Sequence, residues 1–154
     1  MSNANCCVVV ADGAHARFLL TEPRAESPSH PILRLVENVN LEEPAHTAQG
    51  RRDTRQAGGG RDRRARHNYA DHRDAHNLEL MRRFAVRLAQ KLSALLAEQA
   101  SEVVLVAEPH MLGLLRAAVG PVVKSGLPVR ELARDYTWCT SVQLERHLAD
   151  NRLL

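Results

Sequence analysis

An apolar, β-branched run, Cys6-Cys7-Val8-Val9-Val10-Ala11, meets Asp12-Gly13 and then turns straight into a second apolar run at residues 16–21. An Asp-Gly pair between two β-type runs predicts a tight hairpin whose turn uses positive φ values. The first strand therefore returns antiparallel instead of feeding a helix. A dinucleotide site needs G-x-G-x-x-G between a strand and a helix, so that class is excluded at the outset. Arg17 interrupts the second strand, and Pro23 and Pro28 break the pattern that follows. A third strand over residues 32–37, with partial alternation of apolar and charged residues, completes an antiparallel meander.

The remainder alternates helix and strand. Leu78, Met81, Ala85, Leu88, Leu92 and Leu95 fall at 3-4-3-4-3 spacing and draw one helical stripe, with Asp71 or Asp74 placed as its cap. His72, His76, Glu79 and Arg83 project opposite that stripe. Residues 102–107 read as a buried strand, and a helix leading into a strand implies a parallel pair. Pro109 introduces a second helix over 111–119 that stops near Gly120-Pro121. Residues 129–135 form a last strand. Thr140 or Ser141 caps a closing helix with Val142, Leu144, Leu148 and Ala149 turned inward. The expected fold class is α/β, a mixed five-stranded sheet opening as an antiparallel meander, with about three helices. The length of 154 residues suits one domain, 1–154, and 44% apolar with 25% charged residues excludes a disordered, collagenous or rod-like chain.

Charge is unevenly placed. Residues 51–83 hold ten arginines against five acids, a net +5, while the rest of the chain carries −2. The same stretch overlaps a region at about 40–69 without hydrophobic periodicity, which predicts a long loop containing Gly58-Gly59-Gly60. Planar guanidinium groups donate bidentately to phosphate oxygens, so Arg51, Arg52, Arg55, Arg61, Arg63, Arg64 and Arg66 are the candidate phosphate contacts. His67 and Tyr69 are candidates for base stacking. Exposed backbone N–H groups at Gly58, Gly59 and Gly60 can approach an anion or a reacting carbonyl closely. No Gly-Lys-Ser/Thr follows these glycines, so they are not a P-loop.

Other chemistries are weaker. There is no G-x-S-x-G for a nucleophilic serine. His72 and His76 at i, i+4 could share a metal ion with Asp71, Asp74 or His67, against the plainer reading of a solvated face on which Glu79 and Arg83 pair. Glu108 and His110 follow a strand, at the end where α/β folds place ligands, although a helix cap is the simpler role for Glu108. No cofactor is implied. The three cysteines, Cys6, Cys7 and Cys139, show no zinc spacing and suit a reduced compartment, and at least one of the adjacent pair reads as a small buried apolar residue. The opening apolar run is far short of the ~20 residues that span a bilayer, and Asp12 interrupts it with no basic residue ahead. The expected location is the cytoplasm.

Several of these residues also carry a resemblance. The residues 8–18, Val-Val-Val-Ala-Asp-Gly-Ala-His-Ala-Arg-Phe, together with His76-Asn77-Leu78-Glu79, Arg83-Phe84-Ala85, Leu105-Val106-Ala107-Glu108-Pro109 and Leu112-Gly113-Leu114-Leu115-Arg116, resemble the bacterial host attachment protein family nearly end to end. That family is similar to the middle domain of archaeal and eukaryotic peptide-chain release factors. The resemblance implies a ribonuclease H-like fold and a Gly-Gly-Gln loop acting at the ribosomal peptidyl-transferase centre. The matching position here is Arg55-Gln56-Ala57-Gly58-Gly59-Gly60-Arg61, in which Gln56 precedes the glycines and Arg61 follows them. Gly58, Gly59, Gly60 and Gln56 are thus the catalytic candidates for peptidyl-tRNA hydrolysis, and the implied partner is the ribosome or tRNA. Competing readings are a non-enzymatic regulatory or interaction protein with a protein partner, acting indirectly on attachment, and a His-based metal-binding protein.

Overall fold

The computed structural model describes residues 5–41 and 63–154, and the side chains of residues 27–30 and 63–74 fall outside that description. The elements run β1 (Cys6–Ala11), β2 (His15–Arg24), β3 (Ser27–Asn40), α1 (Arg63–Glu98), β4 (Glu102–Ala107), α2 (Pro109–Val119), β5 (Val129–Ala133) and α3 (Ser141–Asp150). The fold is α/β, with one five-stranded mixed sheet in the order β3-β2-β1-β4-β5. The first three strands pair antiparallel and the last two join β1 in parallel.

The period-2 pattern of the central strands builds two cores. Cys7, Val9 and Ala11 face one way, onto Phe84, Leu88 and Leu92 of α1 and Met111 and Leu115 of α2. Cys6, Val8 and Val10 face the other way, onto Leu144 and Leu148 of α3 and Leu153 beyond it. Strands β1 and β4 are buried on both faces, which is why each reads as an unbroken apolar run.

Several expectations are corrected. The hairpin turn does not use positive φ at Gly13; among the described residues only Gly126 (φ 90°) and Arg152 (φ 58°) are left-handed. Instead the Asp12 carboxylate accepts from the amides of Ala14 (2.7 Å) and His15 (2.6 Å), so a side chain does the work expected of an unusual backbone. Strand β2 runs on through Pro23, because the pairing shifts between Glu22 and Arg24 and so demands no donor from the proline. Strand β3 is longer than residues 32–37 and includes Pro28 and Pro31, which an edge strand tolerates.

Helix α1 begins at Arg63, so neither Asp71 nor Asp74 caps it. No Gly or Pro occurs between residues 61 and 98, and nothing in the chain breaks the helix where its apolar stripe fades. The loop expected over 40–69 therefore yields Asn40 to β3 and 63–69 to α1. Phe84 and Ala89 join the stripe as buried residues. Strand β5 stops at Ala133, short of Asp135. In α3 only Leu144 and Leu148 are buried; Val142 is 65% exposed and Ala149 is also exposed, because a ten-residue helix meeting the sheet along one i, i+4 line turns both away.

Both short helices are capped from their own sequence. Glu108 accepts from the amides of His110 (3.1 Å) and Met111 (2.6 Å) at the start of α2. Thr140 and Gln143 exchange reciprocal hydrogen bonds at the start of α3. Ion pairs tie the outer elements together: Lys91 to Glu37 at 2.6 Å joins α1 to β3, and Arg116 holds Glu131 with two bonds of 2.7 and 2.6 Å between α2 and β5.

Candidate functional site

Strands β1, β4 and β5 are in register at Ala11, Ala107 and Ala133, so all three end at the same edge of the sheet. The chain leaves β1 toward β2 on one side and leaves β4 through α2 toward β5 on the other. Such a divergence, at the carboxyl ends of parallel strands, is where open α/β sheets receive ligands.

Three carboxylates stand near this edge, and each is committed to neighbouring groups. Asp12 serves the hairpin turn and Glu108 caps α2. Asp135 accepts from the amide (3.2 Å) and hydroxyl (2.8 Å) of Thr137. Among the described residues no group of three or more His, Cys, Asp or Glu side chains is arranged to hold a metal ion.

The same edge carries aromatic surface. The Trp138 indole is 76% exposed, and its ring centroid lies 5.2 Å from that of His15 at an interplanar angle of 59°. His15 Nδ1 is 3.4 Å from the Asp12 carboxylate. Arg17 Nη2 donates to the Tyr136 carbonyl at 3.0 Å, and Tyr136 stacks on His147 at 4.3 Å, so the segment bearing Trp138 is tied down on both sides.

The route into and out of the arginine-rich stretch passes here. Leu41, directly after β3, donates its amide to the Ala14 carbonyl at 2.7 Å. On the return, α1 comes down onto the sheet at Met81, whose Cε lies 3.4 Å from where a Cβ on Gly13 would stand. The 18 residues from Arg63 to Leu80 extend α1 N-terminal of that contact by about 27 Å at ~1.5 Å per residue.

The sequence-derived candidates divide accordingly. Arg51, Arg52, Arg55, Gln56, Gly58, Gly59, Gly60 and Arg61 lie outside the described residues. Arg63, Arg64, Arg66, His67, Tyr69 and His72 sit on the backbone of α1, with side chains outside the description. His76 is exposed, and Glu79 with Arg83 makes the expected i, i+4 pair at 3.2 Å on the solvated face. Cys6 and Cys7 are buried apolar residues, and burial pushes both thiols up to about 12, Glu102 adding to the effect at Cys6. No motif singled out Trp138. Its available signal was that the chain's one tryptophan falls in the short link between the last strand and the last helix.

No helix among the described residues is long and apolar enough to cross a membrane. A comparison with curated proteins finds no match. The family model for proteins required for attachment to host cells matches residues 7–148, from the first strand to the last helix. The whole sheet but for Cys6, and the carboxyl ends of its parallel strands, lie within that match, and the chain belongs to the host attachment family.

Proposed function

We propose that this protein is a cytoplasmic RNA-binding module that associates with the ribosome or tRNA through its arginine- and glycine-rich stretch. The observation that carries the reading is the net +5 of residues 51–83 in a chain whose remainder is −2. Arg51, Arg52, Arg55, Arg61, Arg63, Arg64 and Arg66 supply phosphate contacts, with His67 and Tyr69 as stacking groups. The described residues on either side support this: Leu41 departs from the carboxyl edge of the sheet, and α1 returns to that edge. The mixed sheet opening as a meander also supports a ribonuclease H-like, release-factor-like reading of the fold.

Sedimentation of the tagged protein from gently lysed cells, at low and raised salt, tests the proposal. The expected result is co-migration with ribosomes that weakens with salt and is lost when Arg61, Arg63, Arg64 and Arg66 are changed to Ala. Free migration at every salt overturns it and favours a regulatory protein with a protein partner.

The run Gly58-Gly59-Gly60 beside Gln56 favours a second, more specific reading, peptidyl-tRNA hydrolysis. Gly59→Ala separates it from binding alone. Hydrolysis falls while ribosome association persists if the glycines act in chemistry.

A further inference from the structure

We propose that the groove between α3 and the β2–β3 hairpin binds a small amphipathic carboxylate, a monoanion carrying a hydrocarbon tail. The inference is independent of the RNA-binding reading above, because no residue of the arginine-rich stretch takes part.

Helix α3 presents two different lines of side chains. Leu144 and Leu148 enter the core, whereas Val142, Glu145, Arg146 and Ala149, at i, i+3, i+4 and i+7, form the flank beside the hairpin. With Arg24, Pro31 and Leu154 they line a groove of about 330 Å³, at the lower end of the range for small-molecule clefts. The wall is mainly apolar, from Pro31, Val142, Ala149 and Leu154. Val142 is 65% exposed, so this apolar wall stands open and is not filled by the protein's own side chains.

The charged groups select the ligand. Glu145 is already engaged: Oε1 accepts from the Leu33 amide at 2.8 Å, and Oε2 lies 3.8 Å from Arg24 Nη2. These two contacts hold the hairpin against α3 and set the width of the groove. Arg146 is exposed and makes no hydrogen bond or ion pair with any described residue, Asp150 one turn further on included. Two guanidinium groups against one carboxylate leave one positive charge beside an apolar wall. A monoanion matches that charge, and its carboxylate fits the guanidinium fork of Arg146 while a tail lies on Val142 and Ala149. A neutral hydrocarbon would leave Arg146 unused, and a cation would be repelled by it.

The test is an amide NMR titration of the whole, isotope-labelled chain with octanoate, and with 1-octanol and octylammonium as controls of the same tail. Octanoate is expected to shift the amides of Leu33 and of residues 142–149, with a Kd on the order of 1 mM. Octanol should bind about fivefold more weakly, and octylammonium more weakly still. Arg146→Gln should cost about fivefold in octanoate affinity and leave octanol binding unchanged. Val142→Asp, which puts a carboxylate in the wall, should weaken octanoate about tenfold. Both side chains are exposed, and the dispersion of the variants' spectra confirms that they fold. No shift with octanoate, or shifts confined to other elements, overturns the proposal. Equal affinity for octanoate and octanol, or an Arg146→Gln affinity equal to the parent's, overturns the assignment of an anion site.

Discussion

Arg130 on β5 donates through Nη2 to the carbonyl of Leu153 at 2.9 Å and through Nη1 to that of Arg152 at 3.2 Å, while also pairing with Glu102 of β4. One guanidinium therefore fastens the segment after α3 to two parallel strands. Leu153, which it positions, closes the core on the α3 face. Arg130→Met retains the stem but removes the fork, and should lower stability by about 1–2 kcal/mol, read as a reduced urea midpoint with an unchanged slope. An unchanged midpoint would show that Leu153 packs without the latch.

Gly13 gives a sharper contrast between two accounts of the hairpin. A left-handed glycine would make alanine costly, whereas the Asp12-braced turn leaves room for a Cβ at ordinary contact distance from the flexible end of Met81. Gly13→Ala should stay within about 0.5 kcal/mol of the parent, and Asp12→Ala should cost about 1–2 kcal/mol by orphaning two amides. Chemical denaturation of the two variants checks the order, and a larger loss for Gly13→Ala would contradict the turn described.

Thiol reactivity follows from burial. Cys6 and Cys7 are held up to about 12 and are closed to solvent, while Cys139 is partly exposed. At pH 8 the native protein should give one fast-reacting thiol with a disulfide reagent and three in denaturant. More than one fast thiol in the native protein would place β1 at a frayed edge and not in the middle of the sheet.

The Arg116–Glu131 pair makes an acid-side contribution to stability. The Arg116 guanidinium, by hydrogen bonding and charge, holds the Glu131 carboxyl below its ordinary 4.5. A depressed carboxyl stabilises the folded state fully above the unfolded value and loses that contribution as pH falls through the folded one. Glu131→Gln should therefore melt lower than the parent at pH 6–7, with the gap closing below pH 4.5. The effect is small because Arg116 is well exposed. A gap that persists unchanged at low pH would assign it to packing and not to charge.

The sheet was largely legible in the sequence, for reasons visible at single residues. The alternation of Cys6 through Ala11 between two cores, the run of residues 102–107, and the Glu108 and Thr140 caps are local patterns with local causes. What escaped depended on the surroundings. Pro23 reads as a stop until a shifted pairing excuses it, and Val142 reads as core until the narrow seat of α3 is known. The start of α1 was missed because its first turns carry no apolar stripe to mark them. Of the candidate site, the charge bias was plain, but Trp138 and His15 are separated by more than a hundred residues, and only the sheet brings them together.

Strand β1 joins two halves of the sheet that differ in how the chain must travel to make them. Its antiparallel partner follows within a few residues, Ala11 facing Ala16, whereas its parallel partner faces it across ninety-six, Cys6 against Glu102. Loop-closure entropy burdens long-range pairing, so the meander can zip up early from nearby contacts while the second side of β1 waits for α1 to form and deliver β4. During that interval the most apolar strand of the molecule has a bare edge, and the protein's exposure to misassembly on synthesis is concentrated there.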